Sequence, residues 1–212
     1  MSDTVRLEQS GAVALITIDR PEGMNALTVE VKLALLAAVR AVRDDSSYRA
    51  LVLTGTGRAF CAGQDLREHA ALLDARDPAP LATVREHFNP LVTMLAELPV
   101  PTVAAVNGTA AGAGLGIACA LDLRVGAAGS RYTTAFTGIG LTADSGLSWT
   151  LPRLVGSGRA EGVGGTEHDA AAVSDEHPRE LAARRGLAGA VHADDDDDSG
   201  TARAVVAGHG GG

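Results

Sequence analysis

A chain of 212 residues, 46% of them hydrophobic, can bury one sizeable core, which excludes a wholly disordered or fibrous protein. The net charge of −8 belongs to one end of it. Residues 1–160 carry 14 Lys and Arg against 15 Asp and Glu, and residues 161–212 carry 4 against 11. No basic stripe suits a nucleic acid, no apolar run approaches the ~18 residues of a membrane span, and the opening residues lack the pattern of a secretory leader; a cytoplasmic protein is expected.

Two periodicities alternate along the chain. Val13 to Ile18 reads as a buried strand. Thr28 is placed to cap a helix whose apolar stripe is Val31, Leu35, Leu36, Val39 and Val42. Ala50 to Thr54 forms a second strand, ended by Gly55-Thr56-Gly57. A loop with Pro78 and Pro80 leads to a helix marked by Leu91, Val92, Leu95 and Leu98, which Pro99 and Pro101 stop. Thr102 to Val106 is a third strand, followed by a small-residue helix from about Gly112 to Ala120 and a strand from Leu121 to Val125. A further helix begins near Ser145, with Trp149 expected to anchor it to the core. Strands separated by helices of this length give right-handed crossovers in a layered α/β fold.

Beyond about residue 160 the pattern stops. Residues 161–212 hold seven large aliphatic side chains, no aromatic one, ten glycines and the run Asp194 to Asp198. So little apolar surface does not offset the entropy of ordering, and an exposed, largely irregular tail is expected. The acidic run lacks the spacing of a calcium loop, and Cys61 and Cys119 have neither disulfide-framework nor metal-ligand spacing. Lys32 is the only lysine, which reads as a coding bias and not as a site. His69 and His87 accompany no nucleophile motif and read as surface or structural residues.

Two glycine-rich turns follow strands: Arg58 to Leu66, and Val106 to Gly116 leading into a helix. Glycine permits close backbone approach, and a helix N-terminus offers free N–H groups. Two such turns could supply one N–H each to a single oxygen, forming an oxyanion hole; tight strand-to-helix packing explains each turn equally well.

The phrases Phe60-Cys61-Ala62-Gly63-Gln64-Asp65-Leu66, Ala105-Val106-Asn107-Gly108 and Ala111-Gly112-Ala113-Gly114 resemble, in order, the oxyanion-hole loops of the crotonase (enoyl-CoA hydratase/isomerase) superfamily. Ile18-Asp19-Arg20-Pro21-Glu22 with Asn25-Ala26-Leu27, and Gly138-Ile139-Gly140-Leu141 with Leu151 to Gly156, extend the resemblance over residues 5–160. It implies a spiral of ββα turns with its usual C-terminal helical segment missing or replaced. It implies that the backbone N–H groups of Gln64 and Ala113 hold the oxygen of an acyl-CoA thioester. Coenzyme A would lie against Arg20, Glu22, Asn25, Ala26 and Leu27, against Ala62, Gly63, Asp65 and Leu66, and near Gly112. By the same resemblance the chain has no resident cofactor, coenzyme A arriving as part of the substrate, and it assembles as a trimer or hexamer.

The positions matching the two hydratase glutamates are Gly116 and Phe136, neither of which moves a proton. Asp144 remains. Locally it reads as a helix cap, whereas some isomerases and dehalogenases of the superfamily place their working aspartate there. One carboxylate suits double-bond isomerisation better than addition of water. Asn89-Pro90-Leu91-Val92 and Asp144 bring the resemblance nearest to the ring-1,2-epoxyphenylacetyl-CoA isomerases. The alternatives are an enoyl-CoA hydratase, and an inactive or poorly folded CoA-binding remnant whose tail is read out of frame.

Overall fold

The computed structural model describes residues 3–137 and 140–160 and the backbone of 168–169. Strands β1 (Val5–Ser10) and β2 (Val13–Ile18) form an antiparallel hairpin, and β2 then pairs in parallel with β3 (Ala50–Gly55). With β5 (Thr102–Val106) and β7 (Leu123–Gly126) they make a five-stranded sheet of order β1-β2-β3-β5-β7. The short strands β4 (Ala59–Cys61), β6 (Thr109–Ala111), β8 (Arg131–Thr133) and β9 (His168–Asp169) make a second sheet in that order. Each strand of the first sheet from β3 onward is thus followed by one of the second, and a helical segment returns the chain to the next pair. This is the expected ββα spiral.

The helices follow from their apolar spacing. Helix α1 (Val29–Asp44) buries Val31, Leu35, Val39 and Val42, and the Thr28 side chain caps it by accepting from Val31 N–H at 3.3 Å. Helix α3 (Asn89–Ala96) buries Leu91, Val92 and Leu95 and follows a π-turn over Val84–Phe88. Helix α4 (Ala113–Ala120) is all but enclosed, consistent with its small residues. Helix α5 is Leu147–Val155.

The structure adds elements that the sequence reading lacked and corrects one anchor. β1 and the short strands β4, β6, β8 and β9 went unread. So did α2 (Leu66–Asp74), which buries none of its residues and so lacks the stripe that periodicity detects. Trp149 does not anchor α5: it is 64% exposed, with the Arg153 guanidinium stacked 3.2 Å from its ring centre, while Leu147 and Leu151 fill the core. Of residues 161–212, only the β9 pair is described, hydrogen-bonded antiparallel to β8. The expectation of an irregular tail and of a missing helical segment otherwise lies outside the described residues.

Asparagine side chains fasten successive turns of the spiral. Asn25, fully buried, accepts from Arg20 N–H at 2.9 Å and donates to the carbonyls of Thr56 and Ala59 at 2.9 and 2.7 Å. Asn107 accepts from Gly55 N–H and donates to the carbonyls of Gly57 and Ala59.

Candidate active site

The first glycine-rich turn leaves β4 and enters α2. Asp65 caps α2, accepting from the N–H groups of Arg67 and Glu68 at 3.0 and 3.1 Å, and pairs with Arg20 at 2.7 Å. Burial pushes the Asp65 carboxyl up, but the Glu68 N–H, the Arg20 guanidinium and the Arg67 N–H together outweigh it and hold the group below its ordinary value. The turn is also sewn to the segment after β2: Ala62 N–H donates to Met24 O, Leu27 N–H to Gly63 O, and Asp65 N–H to Leu27 O. The two segments expected to meet coenzyme A are therefore side by side.

Their side chains are not equally open to a ligand. Asn25 commits its amide to three backbone groups and Leu27 is fully buried, so both side chains shape the segment from inside. Arg20 and Asp65 are committed largely to each other. Glu22 and Leu66 are exposed, Ala62 is half-buried, and Ala26 and Gly63 are buried, leaving mainly backbone to face a ligand.

Leu27 and Gln64 form a parallel bridge through the neighbours of Gln64, which turns Gln64's own N–H away from Leu27. On that other side lies the second glycine-rich turn. A Cβ on Gly63 would stand 2.7 Å from Ala111 O and 3.1 Å from Ala113 N, so only glycine lets the two backbones meet. Gly112 takes φ +53° as the cap of α4, and Ala113 is the first helical residue, whose N–H has no partner within the helix. Among the described residues neither the Gln64 nor the Ala113 N–H donates to a protein acceptor. Both packing and a free pair of amides thus come from the same glycines.

One helical turn along α4, about 5 Å, sits Gly116. A Cβ there would come 2.7 Å from Ser145 Cβ and 3.0 Å from Ser145 O. Ser145 is buried in a left-handed conformation (φ +52°), and Gly146 follows at φ +73°. The Asp144–Ser145 turn therefore fills the space a residue-116 side chain needs. A glutamate at 116 and this turn exclude one another.

Asp144 is half-buried and accepts from the Ser145 hydroxyl at 2.7 Å. Burial pushes its carboxyl above the ordinary carboxylate value, and the Ser145 hydroxyl offsets only part of that. Its carboxylate does not cap α5: the cap is Gly146, and Asp144 contributes only its carbonyl, which accepts from Leu147 N–H. The local reading of Asp144 as a helix cap is corrected accordingly. A cavity of about 420 Å³ adjoins the turn, lined by Phe136, Leu141, Ala143, Leu147 and Leu151 among others. None of Asp144, Gln64 and Ala113 lines it. The connection between the two groups is α4 itself.

Cys61 and Cys119 are buried thiols that burial pushes up to about 12 and about 11, too high for a nucleophile. Among the described residues no group of three or more His, Cys, Asp or Glu is placed to hold a metal, and no helix is long and apolar enough to cross a membrane. Sequence reasoning missed Lys32. It is fully buried, donates to Gln64 Oε1 at 2.9 Å and to Thr83 Oγ1 at 2.6 Å, and stands 4.9 Å from the centre of the Phe88 ring. The signal was its place on α1, three residues before Leu35 and seven before Val39, on the core stripe.

The fold is a spiral of ββα turns that carries the Gln64 and Ala113 amides on glycine turns of successive repeats, with the two backbones brought close at Gly63. The family model for enoyl-CoA hydratase/isomerase matches residues 8–202, and the chain belongs to that family. The match continues past residue 160, where the recognisable phrases end. A Rhodobacter capsulatus protein named as a probable enoyl-CoA hydratase is 45% identical over 185 residues, 87% of this chain and 66% of that one. The Escherichia coli 1,2-epoxyphenylacetyl-CoA isomerase is 42% identical over 153 residues, 71% of this chain and 58% of that one. The chain thus spans about three fifths to two thirds of the length of these relatives. A crystal structure of an enoyl-CoA hydratase/isomerase family protein from Mycobacterium abscessus superposes with a TM-score of 0.76 at 44% identity, over 78% of this chain and 65% of that one. An enoyl-CoA hydratase from Bacillus halodurans superposes with 0.74 at 27% identity, over 87% and 71%.

Proposed function

We propose that the chain isomerises an unsaturated or epoxidised acyl-CoA, using Asp144 as its one proton carrier. The thioester oxygen sits between the N–H groups of Gln64 and Ala113. Asp144 takes a proton from the carbon next to the thioester carbonyl, the electron pair moves onto the oxygen as an enolate, and the two amides stabilise that charge. The proton returns to the third carbon of the allylic system, completing a double-bond shift with no atom gained or lost. Coenzyme A lies along Arg20 to Leu27 and Ala62 to Leu66, near Gly112. The active form is a trimer or hexamer in the cytoplasm.

The observation that carries the reading is the contact between Gly116 and Ser145. A side chain at 116 would meet Ser145, the residue after Asp144, and this supports a mechanism without the glutamate that a two-glutamate hydration needs there. A raised carboxyl suits a group that must both accept and release a proton. The E. coli relative named as an isomerase favours the same side, and the R. capsulatus relative named as a hydratase the other. Two parallel assays decide. Crotonyl-CoA should keep its enoyl absorbance, while a 3-enoyl-CoA or 1,2-epoxyphenylacetyl-CoA is converted. Rapid loss of the crotonyl-CoA absorbance with no conversion of the others makes the chain a hydratase, and no turnover of any makes it an inactive CoA-binding protein.

A further inference from the structure

Lys32 is a costly residue to bury. A fully enclosed ammonium loses its hydration, and apolar residues of similar volume usually serve a core better. Its neighbours do not neutralise it at close range. Its two hydrogen bonds go to uncharged oxygens, Gln64 Oε1 and Thr83 Oγ1. The nearest carboxylate, Glu68, stands 4.0 Å away, and both its oxygens accept from Val29 N–H at 3.1 Å. Asp65 is engaged with Arg20 and the cap of α2. Thr83 in turn lies 3.1 Å from His87 Nδ1, so the hydroxyl that holds the ammonium is itself held. Desolvation holds the Lys32 pKa below its ordinary value, with Glu68 and then Asp65 opposing. The result is an imperfectly paired cation, aimed by its shortest links at the side chain of the residue whose amide meets the thioester oxygen.

We propose that Lys32 is a positioning residue for the oxyanion turn: held by Thr83, it locks the Gln64 side chain and sets a buried positive charge one glutamine side chain away from the Gln64 amide. In this low-dielectric setting the charge favours an enolate over the neutral thioester and so lowers the energy of the charged intermediate. Lys32 does not touch substrate, because its ammonium is sealed from the surface. The proposal rests on the acyl-CoA reading and adds a residue to it.

The test uses acetoacetyl-CoA, whose enolate absorbs in the near ultraviolet, so the ionisation of the bound thioester is read directly and without turnover. The full chain, Lys32→Met, Gln64→Leu and the double variant are each titrated with the ligand for affinity and then with pH for the enolate band. Lys32→Met keeps length and apolar contact with Phe88, and Gln64→Leu keeps the amide. Each single variant should shift the bound enolate's apparent ionisation upward by about one pH unit, roughly tenfold, with the dissociation constant of the neutral ligand changed less than about threefold. That is less than the ~10²–10³-fold cost of losing a direct oxyanion donor. The double variant should lose no more than either single one, because both break one link. Unshifted enolate ionisation in either folded variant, or losses that add, overturns the proposal while leaving the acyl-CoA reading intact. Should Lys32→Met not fold, the shift in Gln64→Leu alone decides. If the parent chain does not bind acetoacetyl-CoA, the acyl-CoA reading falls and this proposal with it.

Discussion

The Gln64 turn and the Asp144 turn lie on either side of one end of α4 and are built in opposite ways. The Gln64 turn is bound from many directions: Asp65 caps one helix, Glu68 reaches the start of another, and Arg20 and Lys32 link both to neighbouring elements. Among the described residues the Asp144 turn is held by one side-chain hydrogen bond and the Leu147 N–H to Asp144 carbonyl bond, and it contains two consecutive left-handed residues, one of them a serine for which that conformation costs about 1–2 kcal/mol. Under the proposed mechanism, fixed amides suit an oxyanion hole that must not reorganise as charge develops, and a desolvated carboxyl suits a group that changes protonation in each cycle.

The sharpest break of this contrast is Asp144→Asn. It keeps size and removes the proton acceptor, so isomerase turnover should fall ~10²–10⁴-fold with the thermal midpoint nearly unchanged. Turnover at the parental rate would remove Asp144 from the mechanism. The pH dependence follows in sign. A carboxyl raised by folding contributes stability below its ordinary pKa near 3.8, and loses it as pH rises through the elevated value. The parent should therefore weaken relative to Asp144→Asn as pH climbs from about 3 towards neutrality, as paired denaturation curves can show. Catalysis by the parent runs the other way, falling as acid protonates the base.

Next in size is Gly116→Ala. The new methyl meets Ser145 backbone and Cβ, and overpacking of this kind costs about 1–3 kcal/mol. We expect a lower thermal midpoint together with lower kcat, because the displaced turn carries Asp144. On the rigid side, Asp65→Ala removes a helix cap and the 2.7 Å ion pair of Arg20, a loss of about 2 kcal/mol by urea denaturation. Since folding lowers the Asp65 pKa, its contribution is full at neutral pH and fades as acid titrates it, so parent and variant curves should converge at low pH. Smallest of all is Trp149→Ala. With the ring mostly exposed, the change should stay within about 1 kcal/mol; a larger loss would indicate that the ring is buried in the working protein.

What could be read from sequence follows this division. α1, α3, α4 and the strands β2, β3 and β5 announce themselves because each buries a continuous stripe. β4, β6 and β8, three residues apiece, are too short to show a period, and α2 buries nothing. Yet α2 carried a legible start, Asp65 followed three residues on by Glu68, the spacing of a capping box. The glycine turns were visible as patterns, and the resemblance supplied which amides to consider. Lys32 escaped because a lone lysine in a helix ordinarily faces water, and its partners, Gln64 and Thr83, are 32 and 51 residues away. The conflict between Gly116 and Ser145 is likewise a fact of three dimensions, invisible to any window along the chain.

The asparagine staples carry a consequence for how the spiral comes into being. The carbonyls that accept from Asn25 lie 31 and 34 residues along the chain, and the partners of Asn107 lie 48 to 52. Neither amide can find its carbonyls until two consecutive coils have already closed on each other. Closure of such loops costs entropy before any of these bonds is made, and topologies dominated by distant contacts fold slowly. The spiral is therefore a structure that zips coil by coil, each asparagine acting as a latch that engages only on a correctly docked neighbour and leaves a misdocked one free to reopen.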